Sequence, residues 1–237
     1  MRSRQSGFTL VEIAIVLVII GLLLGGVLKG QELINSAKIK NLINDMNGLS
    51  TAVYAYQDRY RALPGDDAGA VGRWTAQGIT VAGTGQGDGN GTLAGAFNAA
   101  PAAGAGPESV LFFKELRAAG LIAGAITDAQ PINAVGGFLG VQAGAGKPAA
   151  GAGQGLGGIV ACHTNVLGKV AEAIDRQLDD GNPAAGSVKS WTQAAGSVPL
   201  DGTTAIVDIT PVAATAAPAA NYVDDGTTMY TVCKTIL

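Results

Sequence analysis

Few side chains in this sequence are placed to do chemistry, and most of those are acids. His163 is the single histidine. A Ser/His/Asp relay would have to run through it, and no nucleophile-elbow motif supplies the serine. Cys162 and Cys233 are the two cysteines, and with His163 they have neither the number nor the spacing of a zinc site. Gly153, Gly155 and Gly158 match the G-x-G-x-x-G pattern of a dinucleotide turn. No strong strand precedes them, and a Gly/Ala-rich stretch produces such matches by chance. Ala145-Gly146-Lys147-Pro148 lacks the first glycine and the Ser/Thr of a phosphate loop. Asp88 and Asn90, at alternate positions of a Gly-rich turn, offer oxygens that calcium takes, but the repeated acids and closing Glu of an EF-hand are missing. A plain flexible turn is the favoured reading there. Asp175, Asp179 and Asp180 crowd the C-terminal end of a helical stretch, where the macrodipole disfavours acids. They read as solvated charge, with turn capping or cation binding as the alternative. These residues predict no enzyme and no obligatory cofactor.

Glu12 is different because of where it lies. Phe8 to Leu28 is an apolar run in which Glu12 is the single charge. At about 1.5 Å per helical residue the run is roughly 31 Å long, enough to cross a bilayer core. A helix is the one single-segment structure that satisfies its own backbone there. The run is too long for the apolar core of a signal peptide, roughly 7–15 residues, and no small-x-small cleavage site follows it. The chemistry breaks before the run, after the short basic segment Met1 to Gly7. A cut after Gly7 leaves the apolar helix as a new N-terminus. A carboxylate in such a helix is costly unless paired, and an ionisable residue in a membrane segment is a functional candidate by default. With the leader gone, no basic side chain lies within a turn or two of Glu12. A terminal amine, on Phe8 of the same chain or of a neighbour, is then its natural partner. The alternative is a carboxylate near the interface that reaches back to water.

Gly7-Phe8-Thr9-Leu10-Val11-Glu12, with a basic leader before it and an apolar helix after it, resembles the N-terminal signature of type IV pilin precursors and of type II secretion pseudopilins. The resemblance is dense at the N-terminus and weak beyond the long helix. It implies cleavage between Gly7 and Phe8 by a prepilin peptidase and N-methylation of the new Phe8 amine. It also implies that Glu12, together with Phe8, guides assembly. The subunit is then expected to sit in the inner membrane with its head in the periplasm. From there it would polymerise with copies of itself, through pilus or type II secretion machinery, into a cell-surface or periplasmic filament. Some pseudopilins bind calcium in a loop, which keeps Asp88 and Asn90 as candidates. In a cytosolic protein Cys162 and Cys233 would be free thiols; in an exported domain they pair. Such a bond closes a loop worth roughly 4 kcal/mol of chain entropy. It also resembles the disulfide near the C-terminus of pilins that bounds a surface-variable region, here 162–233.

The elements that hold these residues follow from composition and pattern. Charged residues make up 14% of the chain, against about 25% in an average soluble domain. The 36 glycines are about twice the usual share. Removing the leader takes away Arg2 and Arg4 and leaves thirteen basic against eighteen acidic residues, formally −5. Such a surface argues against general nucleic-acid binding. Counting basic residues leaves the topology open, since Lys29, Lys38 and Lys40 follow the apolar run closely. A seven-residue tail is more simply left in the cytoplasm than the large C-terminal part.

Past the apolar run, Ile39, Leu42, Met46, Leu49, Val53, Tyr56 and Tyr60 follow alternating steps of three and four. This predicts one apolar stripe on a continuing helix that covers a sheet of the same chain. Gly48 weakens the helix locally, and Leu63-Pro64-Gly65 ends it. Residues 62–106 read as loop, with Arg73-Trp74 packing back on the long helix. A second helix is expected from Pro107-Glu108 to about Ala119, with Gly120 as its stop and Val110, Phe113 and Leu116 on its core face. Residues 121–158 are Ala/Gly-rich, with short strands near 137–141. A third helix is expected over Thr164–Leu178, capped by Thr164. Strands are expected at Ser187–Trp191, Thr204–Thr210 and Thr227–Ile236. A helix first and strands late give an α+β fold, with an antiparallel sheet against the long helix.

The organisation expected is a leader over 1–7, a membrane and assembly helix over 8–28, its amphipathic continuation over 29–62 and a globular head over 63–237. The function expected is a structural subunit of a type IV pilus or pilus-like filament. A pseudopilin of type II secretion is the nearest alternative. A monomeric membrane-tethered periplasmic binding module or enzyme is the third, and it lacks an ordered site in the sequence. The chain length and the long 162–233 region favour the pilus. Adhesion, motility, DNA uptake and secretion are not told apart.

Overall fold

Nothing in the sequence interrupts a helix before Pro64, the first proline of the chain. In the computed structural model, α1 accordingly runs unbroken over Leu10–Tyr60. The structure describes residues 10–75, 87–97, 99, 106–126, 128, 130–145, 155–193, 219 and 221–237. The chain divides into two units, Met1–Lys40 and Asn41–Leu237.

In the second unit α1 has one buried face made of Leu42, Met46, Leu49, Ala52, Val53 and Tyr56, the stripe that the spacing predicts. Arg61 ends the helix in the left-handed region (φ 54), its N–H returning 2.9 Å to the Gln57 carbonyl. This is the single-bond left-handed cap, formed without the glycine that usually makes it. Helix α2, Ala70–Thr75, is one short piece of the stretch expected to be loop. Its Trp74 is buried edge-on to Tyr60, ring centroids 5.5 Å apart.

Helix α3, Glu108–Ala118, starts after Pro107, which holds the extended conformation of an N-cap. It ends on Gly120 (φ 69). Gly120 N–H bonds the Arg117 carbonyl and Leu121 N–H the Leu116 carbonyl, each at 2.9 Å. Those two bonds are a Schellman closure, and glycine is there because a Cβ resists this φ. Helix α3 is buried nearly all round, including Glu108, Lys114, Glu115 and Arg117.

Four strands form one antiparallel sheet: β1 (Leu139–Ala145), β2 (Leu156–Leu167), β3 (Val188–Thr192) and β4 (Met229–Thr235). Their order is β1-β2-β4-β3. Strand alternation sends Ile159 and Ala161 of β2 into the core built with α1, α3, Leu139 and Val141. Val160 and Cys162 point to a second core with Phe97, Phe138, Trp191 and Cys233. The α+β expectation therefore holds.

Two expectations need correction. Thr164 does not cap a helix. It lies inside β2, where its Oγ1 accepts a 3.0 Å bond from Phe138 N–H, and α4 begins only at Gly168 (Gly168–Leu178). Pairing decides this: His163 lies opposite Val232 and Val166 opposite Tyr230, with a register shift between them. Asn165 (φ 61) takes up the extra residue of that bulge. The Ala/Gly-rich stretch also hides the start of β2, where Gly157 and Gly158 carry little strand signal of their own. The expected strand at 204–210 lies outside the described residues.

Candidate functional site

The first unit holds the feature that needs a partner. From Leu10 to Leu28 the large apolar side chains of α1 are exposed on every side of the helix, Leu10 by 85% and Leu22 by 73%. Apolar surface of this extent is stable only in lipid or against other apolar helices. This is also the one described helix long and apolar enough to cross a membrane. Glu12 lies in the first described turn of this apolar segment. Gly7 and Phe8 precede the described residues. The apolar run closes at an exposed Lys29–Glu32 pair, 2.7 Å apart, where the surface becomes polar.

The second unit binds the rest of α1 into the sheet. His163 on β2 is fully buried, with Nε2 3.0 Å from the Leu42 carbonyl and Nδ1 without a hydrogen-bond partner. Burial pushes its imidazole down to about 4, against the help of the Leu42 carbonyl. It is therefore neutral and donates from Nε2. Ser50 Oγ donates to the Ile236 carbonyl (3.1 Å), and Lys234 Nζ donates to Asn47 Oδ1 (2.7 Å). Cys162 and Cys233 sit directly opposite each other on β2 and β4 and are joined by a disulfide, both fully buried.

The acidic residues are used by loops. Asp66 is buried and accepts N–H bonds from Gly89 (2.8 Å) and Gly91 (2.7 Å). Asp88 Oδ1 takes Asn90 N–H (3.0 Å), and Asn90 Oδ1 takes both Thr92 N–H (2.8 Å) and the Thr92 hydroxyl (2.6 Å). Asp88 is grouped with Asp66 and Glu108, their carboxylate oxygens within 4.8 Å of one another. Glu108 in turn accepts Ala94 N–H at 2.6 Å. Asp175, Asp179 and Asp180 are likewise close together. Asp175 is fully buried and accepts the Tyr222 hydroxyl (2.7 Å), while Asp179 accepts N–H groups from Ser187 and Val188.

One cluster has no counterpart in the sequence reading. Tyr56 of α1, Asp67 of the turn after it, Arg73 of α2 and Glu115 of α3 meet in the interior. The Tyr56 hydroxyl lies 2.8 Å from Asp67 Oδ2 and 3.2 Å from Glu115 Oε2, and Gly65 N–H donates to Glu115 Oε2 at 2.7 Å. Arg73 pairs with Asp67. Burial, then the charge of Asp67, pushes Glu115 up to about 8, while the Gly65 N–H, the Tyr56 hydroxyl and Arg73 pull the other way. The available signal was spacing: Glu115 falls three residues after Phe112, on an apolar helix face.

Residues 2–28 match a family model described as the prokaryotic N-terminal methylation motif, the hallmark of type IV pilin and pseudopilin precursors. The match covers the basic leader, the Gly7–Glu12 signature and the whole apolar run. No curated protein and no solved structure matches the chain. The family that the motif indicates is structural rather than catalytic.

Proposed function

We propose that this chain, whose N-terminus is that of a type IV pilin or pseudopilin precursor, is the structural subunit of a type IV pilus or pilus-like filament. Prepilin peptidase cuts between Gly7 and Phe8, the Phe8 amine is methylated, and the mature subunit waits in the inner membrane with its head in the periplasm. Assembly machinery in that membrane then stacks the subunits through α1. The observation that carries this reading is the helix from Leu10 to Leu28, apolar on every side and exposed on every side. Lipid satisfies it before assembly, and the helices of neighbouring subunits satisfy it afterwards.

Glu12 supplies the register. In a bundle of apolar helices the attraction between its carboxylate and a neighbour's Phe8 amine is far stronger than in water, and it favours one axial stagger. The buried Cys162–Cys233 disulfide supports a head that matures in an oxidising compartment. The long region it bounds favours a pilus over the shorter pseudopilus of type II secretion.

The test is the ratio of sheared filament to membrane-retained mature subunit. Glu12→Val makes the helix more apolar, so insertion and cleavage are retained while filaments fall to few or none. Glu12→Asp is milder, keeping the charge with a shorter reach. Normal filament yield from Glu12→Val would remove the pairing role.

A further inference from the structure

The Tyr56–Asp67–Arg73–Glu115 cluster has a proton count that its geometry decides. Tyr56, Asp67 and Glu115 are each at most 4% exposed. Two carboxyl groups meet at one hydroxyl, and the guanidinium pairs with Asp67. The Tyr56 hydroxyl has a single proton, yet its oxygen is within hydrogen-bond distance of both Asp67 Oδ2 and Glu115 Oε2. It can donate to only one of them, and the other contact is a hydrogen bond only if that carboxyl brings its own proton. Asp67 has the richer set of donors. It takes the shorter Tyr56 bond, the Arg73 ion pair and Gly69 N–H at 2.8 Å. Glu115 has the longer Tyr56 contact and one backbone N–H, from Gly65.

We infer that Glu115 is the proton-bearing member of a pH-responsive latch, which fastens Gly65 and the turn Leu63–Gly69 to the end of α1 and to α3 and lets go when the proton leaves. The groups facing it are Tyr56 from α1, Asp67 from the turn and Arg73 from α2. Arg73 is itself held 4.3 Å over the ring of Tyr60, which Arg59 also approaches at 5.2 Å. The neighbouring Asp66 carboxylate is turned away to Gly89 and Gly91. Among the described residues, Arg73 is the cation that bears on Glu115. Gly65 is committed to the fastened state: it sits at φ 86, and a Cβ there would run into the Glu108 carbonyl. Asp67 also lines a surface cleft of about 560 Å3 with Gln57, Arg61 and Gly69, which gives protons a route to the cluster.

A carboxyl whose folded pKa lies above its ordinary value stabilises the folded arrangement fully below the ordinary value, and this contribution is lost as pH rises through the folded one. The raised pKa of Glu115, about 8, places that loss between mildly acidic and mildly alkaline pH.

The experiment is amide hydrogen exchange of peptides covering Leu63–Gly69 in the full chain in detergent micelles, corrected for the intrinsic pH dependence of exchange. Protection of the parent should fall about tenfold per pH unit between pH 6 and 8 and then level off, and Glu115→Gln should flatten this slope. A pH-independent parent, or Glu115→Gln with the parent's slope, overturns the latch. Should Glu115→Gln fail to fold, the carboxyl carbon shift of Glu115 in the labelled parent decides the matter. A midpoint near the ordinary glutamate value refutes the proposal and one above pH 7 supports it. Asp67→Asn, which removes the neighbouring charge, should move that midpoint down.

Discussion

Opening the Cys162–Cys233 bond should cost the second unit about 4 kcal/mol, and the way the cost divides between variants tests its origin. The two cysteines are 71 positions apart, so the bond removes the freedom of a long loop from the unfolded chain, worth roughly 4 kcal/mol in the chain-entropy account. A domain of this kind has only about 5–15 kcal/mol in total. Each sulfur is also fully buried, and deleting one costs about 1 kcal/mol of packing. Reduction alone should therefore cost about 4 kcal/mol, Cys233→Ala about 5, and Cys162→Ala with Cys233→Ala about 6. The loop term is lost once, whichever cysteine goes. Urea unfolding of the full chain in detergent, followed by tryptophan fluorescence, reads these values. Trp191 shares the buried cluster with both sulfurs. The urea slope should also steepen in all three, because an open unfolded chain exposes more surface. A double variant that costs twice the single one, or a reduction that costs under about 1 kcal/mol, would refute the loop-entropy reasoning.

Three further outcomes are expected. Gly7→Leu should slow removal of the leader, because the peptidase must accommodate the residue before Phe8; intact-mass analysis of membrane-extracted protein should then show chains that begin at Met1 beside mature ones. His163 is held neutral by burial, pushed down to about 4 from an ordinary value near 6.5. The unfolded chain binds that proton more readily, so stability should fall as pH drops from about 6.5 toward 4, and His163→Gln should show a shallower fall in its urea midpoint. Arg61→Gly should raise the thermal midpoint, since Arg61 occupies a left-handed backbone (φ 54) that costs a side-chain-bearing residue roughly 1–2 kcal/mol. An unchanged or lower midpoint would mean that the arginine side chain compensates.

The sequence makes α1 legible because two periodicities meet in it: an unbroken apolar run, then a stripe at steps of three and four. Helix α3 is legible for a related reason, with Pro107 before it and Gly120 after it. Thr164 misleads because a threonine ahead of a polar-apolar pattern looks like a cap, while the partner that holds it in β2, Phe138, lies 26 residues earlier in the chain. The Tyr56–Glu115 cluster is illegible for the same physical reason. The spacing puts Glu115 on the apolar face of α3, but what it meets there is set only when the fold places Gly65, Asp67 and Tyr56 around it, from positions 48 to 59 residues earlier. Asp88 shows the limit of local reading in the other direction. Its turn is visible, but its companions Asp66 and Glu108 come from either side of a long connection.

The disulfide also decides how the head would answer to tension. Helix α1 is tied to β2 through His163 and to the C-terminal end through Ser50 and Lys234, and β2 is tied covalently to β4. Force pulling between α1 and the C-terminus therefore passes straight from Cys162 to Cys233 and bypasses the 71-position span between them. At about 3.3–3.6 Å per extended residue, that is well over 200 Å of chain which a stretched subunit cannot pay out while the bond is intact. Adding reductant would release that length, on top of the stretch between α1 and Cys162 that the bond leaves free.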